Sequence, residues 1–336
     1  MVTLYLGWPT ALSRWKSLRV RARSDRFHSK ECVNIRPPLA AFERGTGPLR
    51  AFVEQAETAG LDHLCVGDHV SFRDGYGYDG LVQATALAVL SPLPVHTAVY
   101  LLLLRNPVTV ARQLSSLAQL APGRLVFGVG LGGDDPHELE VCGVDPRTRG
   151  RRMNDCLAVV RALIAGETAD YDGEVLSVHG ARVTPAPAVP VPIVVGGRSD
   201  AALRRAARLG DGWLGVFVTP ERWEESRARV ETAARELGRT KVAWEHGLSV
   251  WVGFGESRAD AAPRLAAAME DLYQRPFRDF AAYAPHGTPD DVAAQLAPYR
   301  NAGCRTFNLI PVAADDQSAI EGCARVGRAL RDAVRR

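Results

Sequence analysis

No Cys-x-x-Cys pair and no cysteine–histidine cluster at zinc spacing occurs among the six cysteines, Cys32, Cys65, Cys142, Cys156, Cys304 and Cys323. Their scatter argues against a structural metal or a dithiol motif, and they read as reduced thiols of a cytoplasmic protein. Long apolar runs are lacking too. The most apolar one, Ala98 to Leu104, is far short of the roughly 20 residues of a membrane span. The N-terminus carries its charges after its apolar residues, the wrong order for a signal peptide, so no membrane is expected as a partner. Charge of one sign is also scarce: the net charge is +3 with 24% charged residues. Residues 1–30 hold Arg14, Lys16, Arg19, Arg21, Arg23, Arg26 and Lys30 against Asp25, and the rest of the chain is slightly acidic. The main body is therefore not a nucleic-acid surface, and 1–30 read as a poorly ordered basic extension ahead of a single domain, 31–336.

What the chain does have is alternation. Cys32 to Arg36 is preferred over Val2 to Leu6 as the first strand, because the earlier choice would leave roughly forty residues before the next helix. Leu49, Phe52, Val53 and Ala56 follow helical spacing up to Gly60, and Asp62 to Gly67 reads as a strand ending in Asp68-His69. Val95 to Leu101, Arg124 to Gly130, Val191 to Val195, Trp213 to Phe217, Ala243 to Phe254 and Thr306 to Ile310 are the further strands. A helical pattern follows each, and 166–190 are expected to be irregular. About eight strand–helix units in one uninterrupted series predict an α/β fold, a (β/α)₈ barrel, with an open doubly wound sheet as the alternative. Gly128-x-Gly130-x-Gly132 is not a dinucleotide fingerprint.

In a barrel the chemistry gathers where strands end. That rule selects Asp68-His69, the end of the Val95 strand, Gly130 to Asp135, Gly196 to Ser199, and Val218-Thr219. The stretch Ile193 to Trp213 carries the clearest signal. Its Gly196-Gly197 turn lets a ligand approach the backbone, Ser199 can cap the next helix, and that helix start with Arg198 suits a phosphate. A plain tight turn with a plain cap accounts for the same residues. His137, Glu138 and His179 could touch substrate or be solvated loop residues, and His246 and Trp251 could line the mouth or pack. His63 and His96 lie early in their strands and read as structural. Asp134, Asp135, Asp315 and Asp316 are read as helix-start acids, and no metal site is expected.

Several segments together resemble the luciferase-like monooxygenase family of (β/α)₈ barrels, which use FMN or a deazaflavin. They are Ala59 to His69, Arg105 to Leu114, Gly123 to Gly133, Val195 to Ser199 with Gly210 to Trp213, then Gly287-Thr-Pro and Ala302-Gly-Cys. The resemblance implies an oxidoreductase with the deazaflavin coenzyme F420 or reduced FMN as cofactor. It implies that Asp68 and His69 both face the cofactor ring, Asp68 as a cofactor-binding residue and His69 as catalytic acid or base, which Asp68 can orient. An imidazole is suited to that work because its class titrates near neutrality. It implies a non-prolyl cis peptide at Ala98-Val99 under the ring, and cofactor phosphate at Gly196, Gly197, Arg198, Ser199 and Thr219. Gly133 departs from the pattern, since the deazaflavin sugar-phosphate dehydrogenases carry a glutamate there. The expectation is hydride transfer on a small organic substrate. The alternatives are FMN-dependent monooxygenation, with a separate flavin reductase as partner, and a barrel that binds flavin without catalysis. A lyase or isomerase of phosphorylated substrates would share the anion site, but no lysine stands at a strand end to serve it. A homo-oligomer is left open.

Overall fold

The computed structural model describes residues 31–332 apart from residue 134, so the basic segment 1–30 and Asp134 lie outside the described residues. Eight parallel strands form the centre: β1 (Cys32–Ile35), β2 (His63–Val66), β3 (Val95–Thr97), β4 (Leu125–Val129), β5 (Ile193–Gly196), β6 (Gly212–Val216), β7 (Gly247–Phe254) and β8 (Thr306–Val312). Each pairs with the next, and β8 returns to β1 with Cys32 opposite Thr306. That last pairing closes the barrel and rules out the open doubly wound sheet. The outer ring is α1 (Thr46–Thr58), α2 (Gly80–Leu90), α3 (Pro107–Leu120), α4 (Arg149–Ile164), α5 (Asp200–Leu209), α6 (Pro220–Glu236), α7 (Pro289–Asn301) and α8 (Asp316–Asp332). No described helix is long and apolar enough to cross a membrane.

Strand period decides what faces where. Val33, Ile35, Leu64, Val66, Phe127, Val129, Leu248 and Val250 point outward into the core shared with the helices. Their alternate neighbours fill the barrel. On one side Asn34 donates to Asn308, which meets His96, and on the other Val126, Val194 and Leu214 pack with Ala98 and Val99.

Three expectations are corrected. The third strand ends at Thr97, not Leu101. The chain then passes through a cis Ala98-Val99 peptide into a 3-10 turn, Leu102–Leu104. Tyr100 to Leu104 are apolar because they are buried, and a short apolar run does not distinguish a strand from a buried turn. Within 166–190 an antiparallel hairpin forms, Ala169–Asp172 with Ser177–Ala181. The seventh strand starts at Gly247, so Ala243 to His246 are an irregular approach to it.

The buried histidines make acid stability predictable. Burial pushes His63 down to about 4, and burial, then the neighbouring His63, takes His96 to about 3. His246, buried and close to Arg227, also falls to about 3, stacking on Trp244 and accepting from the Trp213 N–H. His63 and His96 are thus structural, as expected, and His246 packs. An unfolded imidazole protonates near 6.5 while these three stay neutral, so their contribution is present above pH 6.5 and lost as the pH falls toward 4 and 3. Glu245, raised to about 7 by burial and then by Asp211, works in the opposite direction over part of that window. Three groups outweigh one, so the melting temperature is expected to drop steadily between pH 6.5 and 4.5. A flat profile in a calorimetric pH series would contradict it.

Candidate active site

The strand C-termini build a continuous rim from β2 to β6. At its floor is Val99, just after the cis peptide. A Cβ added to Gly130 would lie 2.4 Å from Val99 Cγ2, and one added to Gly196 would lie 2.9 Å from Val99 Cγ1. Glycine at these two strand ends is what lets the Val99 bulge occupy the mouth, and it leaves bare backbone facing outward. The Ala98-Val99 geometry is the one the resemblance implied.

His69, the first residue beyond Asp68, is half-buried at this rim. Its main-chain N–H donates to Tyr78 O, and its ring lies 4.2 Å from that of Phe72. The Gly/Tyr-rich loop folds back over it at Gly77, where a Cβ would sit 2.5 Å from His69 Cβ. The imidazole Nδ1 meets Glu138 at 3.1 Å and 3.3 Å. Glu138 is buried, and its Oε1 also accepts from the Val70 N–H (2.7 Å) and the Ser71 N–H (3.2 Å). Burial opposes its charge, yet the bonds from His69, Val70 and Ser71 hold its carboxyl below the usual range. It is therefore an ionised acceptor, which makes Nδ1 the donor to it and Nε2 the acceptor nitrogen of the neutral ring.

Asp68 bonds to other groups than His69. Its Oδ1 accepts from Gly80 N–H (2.8 Å) and Arg105 Nη2 (2.8 Å), and its Oδ2 from Leu101 N–H (2.8 Å) and Arg105 Nη1 (2.5 Å). Arg105 also reaches Asp79 at 2.8 Å. Burial works against charge on both partners, but the Asp68 carboxylate holds Arg105 above its ordinary value. Asp68 thus ties the exits of β2 and β3 to the start of α2. Glu138 is the carboxylate that meets the imidazole, because the short helix Pro136–Val141 brings it across from the β4 exit. Asp135 caps that helix and also accepts from the Arg73 N–H. The signal was in the sequence as Asp135-Pro136-x-Glu138, a cap, a first-turn proline and an acid at the third position. His137 and His179 are exposed, away from this arrangement.

On the far side of the rim, α5 and α6 start side by side after β5 and β6. Ser199 Oγ accepts from the Ala202 N–H and Thr219 Oγ1 from the Arg222 N–H, so both are caps. Gly197 sits at φ +127, and its carbonyl accepts from Trp213 Nε1. The remaining first-turn N–H groups point past these caps. Asp200 shares the α5 start, but Arg229 pairs with it at 2.8 Å. Arg198 is exposed beside the turn. A cavity of about 1340 Å³ opens at the opposite end of the barrel, between Arg124, Pro192, Asp211 and Arg239. None of the rim residues line it.

A family profile described as luciferase-like monooxygenase matches residues 41–306. Among curated proteins, an uncharacterised protein of Mycobacterium tuberculosis is 38% identical over 181 residues, 53% of this chain and 62% of that protein. The match thus spans less than two thirds of that relative. An F420-dependent glucose-6-phosphate dehydrogenase of Kineococcus radiotolerans is 33% identical over 233 residues, 66% of this chain and 68% of that protein. Among solved structures, an F420-dependent secondary alcohol dehydrogenase in complex with an F420-acetone adduct superposes with a TM-score of 0.76 at 20% identity, covering 90% of this chain and 100% of that one. An EDTA monooxygenase from Chelativorans sp. BNC1 gives 0.73 at 18% identity, covering 90% and 94%. These two share the fold.

Proposed function

Since the chain belongs to the luciferase-like monooxygenase family, we propose that it is an oxidoreductase that binds a deazaflavin or reduced FMN at the barrel mouth, with deazaflavin-dependent hydride transfer to or from a small organic substrate as the leading reaction. The His69–Glu138 pair carries this reading. It presents an imidazole with a defined tautomer at the rim, the arrangement needed by a group that moves a proton as a substrate gains or loses a hydride. FMN-dependent monooxygenation is the second reading, favoured by the likeness of fold to the EDTA monooxygenase.

The residues present fit such a cofactor. The missing Cβ atoms at Gly130 and Gly196 let the Val99 side chain lie between these strand ends, so a flat ring would rest on main chain and Val99. The adjoining α5 and α6 starts, with Gly197, Arg198, Ser199 and Thr219, would hold its phosphate. When bound, either cofactor supplies the hydride or oxygen chemistry that no side chain can. The protein's own part is then to bind, to exclude water with the folded-back loop over His69, and to take up or return a proton at His69 Nε2. Asp68 contributes by bracing the rim rather than by touching the ligand.

Titrating the purified protein with oxidised and reduced forms of both cofactors tests the reading, and dissociation constants in the micromolar range or below are expected for one of them. A parallel Ser199→Asp variant should bind that cofactor at least about tenfold more weakly, because a carboxylate at the α5 start repels phosphate. Failure of the wild type to bind either cofactor overturns the proposal. Undiminished affinity in the variant would reduce Ser199 to a cap.

A further inference from the structure

One charged group at the mouth has no role in the site described so far. Arg36 leaves the C-terminal end of β1, two residues after Asn34, whose side chain lies inside the barrel. Its main-chain N–H is tied to Leu309 O, and its side chain turns over the start of the β2 exit. A Cβ on Gly67 would lie 2.1 Å from Arg36 Nη2 and 2.6 Å from Cζ. Only glycine at 67 leaves the guanidinium its place, next to Asp68-His69.

Among the described residues, no carboxylate, carbonyl or hydroxyl bonds this half-buried guanidinium. The other part-buried arginines are provided for. Arg105 has Asp68 and Asp79, Arg161 has Asp211, Arg331 has Asp62, Arg205 has Asn154, and Arg152 has Leu103 O. None of the ionisable groups set against Arg36, namely Cys65, Tyr76 and Tyr273, is a carboxylate, and burial draws its pKa down. A desolvated guanidinium without an anion is costly, and a planar fork of donors is shaped for a carboxylate.

The neighbouring wall is aromatic. Trp251 on β7 donates its indole N–H to Tyr273 O at 3.1 Å, and Tyr273 packs with Phe217 and Phe280 at ring separations of 5.5 Å and 4.9 Å. Tyr273 is also among the neighbours of Arg36. An apolar wall thus adjoins an unmatched cation, on the rim that holds His69.

We infer that Arg36 is the substrate-recognition residue of this barrel: it receives the carboxylate of an organic acid whose apolar or aromatic body lies against Trp251 and Tyr273. This rests on the oxidoreductase reading of the same mouth. It excludes neutral alcohols and amines as the preferred substrate, and it separates substrate recognition, on the β1 and β7 side, from phosphate binding on the β5 and β6 side.

The test is calorimetric titration of the full chain, with and without bound cofactor, using three probe acids (benzoate, phenylacetate and 2-naphthoate) and the primary amide of each, with phenyl phosphate as a further anion. Wild type should bind at least one acid about tenfold or more tightly than its amide, the worth of a charge-assisted pair. Arg36→Met should abolish that preference while leaving cofactor affinity unchanged. Arg36→Lys should retain part of it, and a wild-type-like melting temperature shows that both variants fold. Equal binding of acid and amide by wild type, or no binding of any acid, overturns the inference, as does a preference that survives Arg36→Met. Loss of cofactor affinity in Arg36→Met with the acid preference intact would reassign Arg36 to the cofactor, and tighter binding of phenyl phosphate than of any acid would reassign it to a phosphate. Because these readouts are binding constants, they stand apart from turnover, so a failed redox assignment and a failed Arg36 assignment give different patterns.

Discussion

His69→Ala is expected to lower turnover by about two orders of magnitude or more, the usual worth of a positioned acid or base, while changing cofactor affinity by no more than a few fold. The imidazole is placed by contacts on three sides: the Glu138 carboxylate on Nδ1, Phe72 on its face and Gly77 at its Cβ. None of these reaches the α5 and α6 starts, so binding and chemistry should separate. Glu138→Gln provides the companion measurement. Glutamine can still accept from Nδ1–H and hold the ring, but without the charge-assisted bond of the carboxylate, so turnover should fall, though less than in His69→Ala. Steady-state kinetics with the cofactor identified by titration would read both effects. Turnover unchanged in His69→Ala would remove the residue from the mechanism and favour a barrel that binds flavin without catalysis.

Asp68→Ala should destabilise the fold by about 3–5 kcal/mol, the usual consequence of stripping one partner from a buried ion pair. Arg105 would keep Asp79, which is more exposed, and the N–H groups of Gly80 and Leu101 would lose their acceptor. Equilibrium denaturation in urea is the measurement, and a loss below about 1 kcal/mol would show that the rim is not braced there. If instead the carboxylate served only to orient His69, stability would hardly change and the damage would appear in turnover alone.

The contrast between these two adjacent residues shows how far a reading of the chain can go. Asp68-His69 was legible as a strand exit, and the resemblance marked both as functional. That Asp68 turns back to Arg105 while His69 turns to Glu138 was not, because the partners lie 37 and 69 positions away along the chain and nothing local specifies them. Glu138 was read as a loop residue that could touch substrate, and only the docking of Pro136–Val141 across the β2 exit makes it the partner of the histidine. Arg36 was seen merely as the last residue of a strand. Its isolation is a property of what surrounds it, and a sequence does not state surroundings.

The strand and helix periods, the glycines and the caps determined the eight-unit α/β series and the residues that leave its strands, because these are encoded in runs of a few neighbouring residues. Closure of β8 on β1, the end of β3 at Thr97, the Asp68–Arg105 brace, the His69–Glu138 pair and the unmatched Arg36 were decided by the tertiary structure alone. Each depends on groups from different strands meeting at one rim, where burial and the count of available partners, rather than residue type, set what a side chain can do.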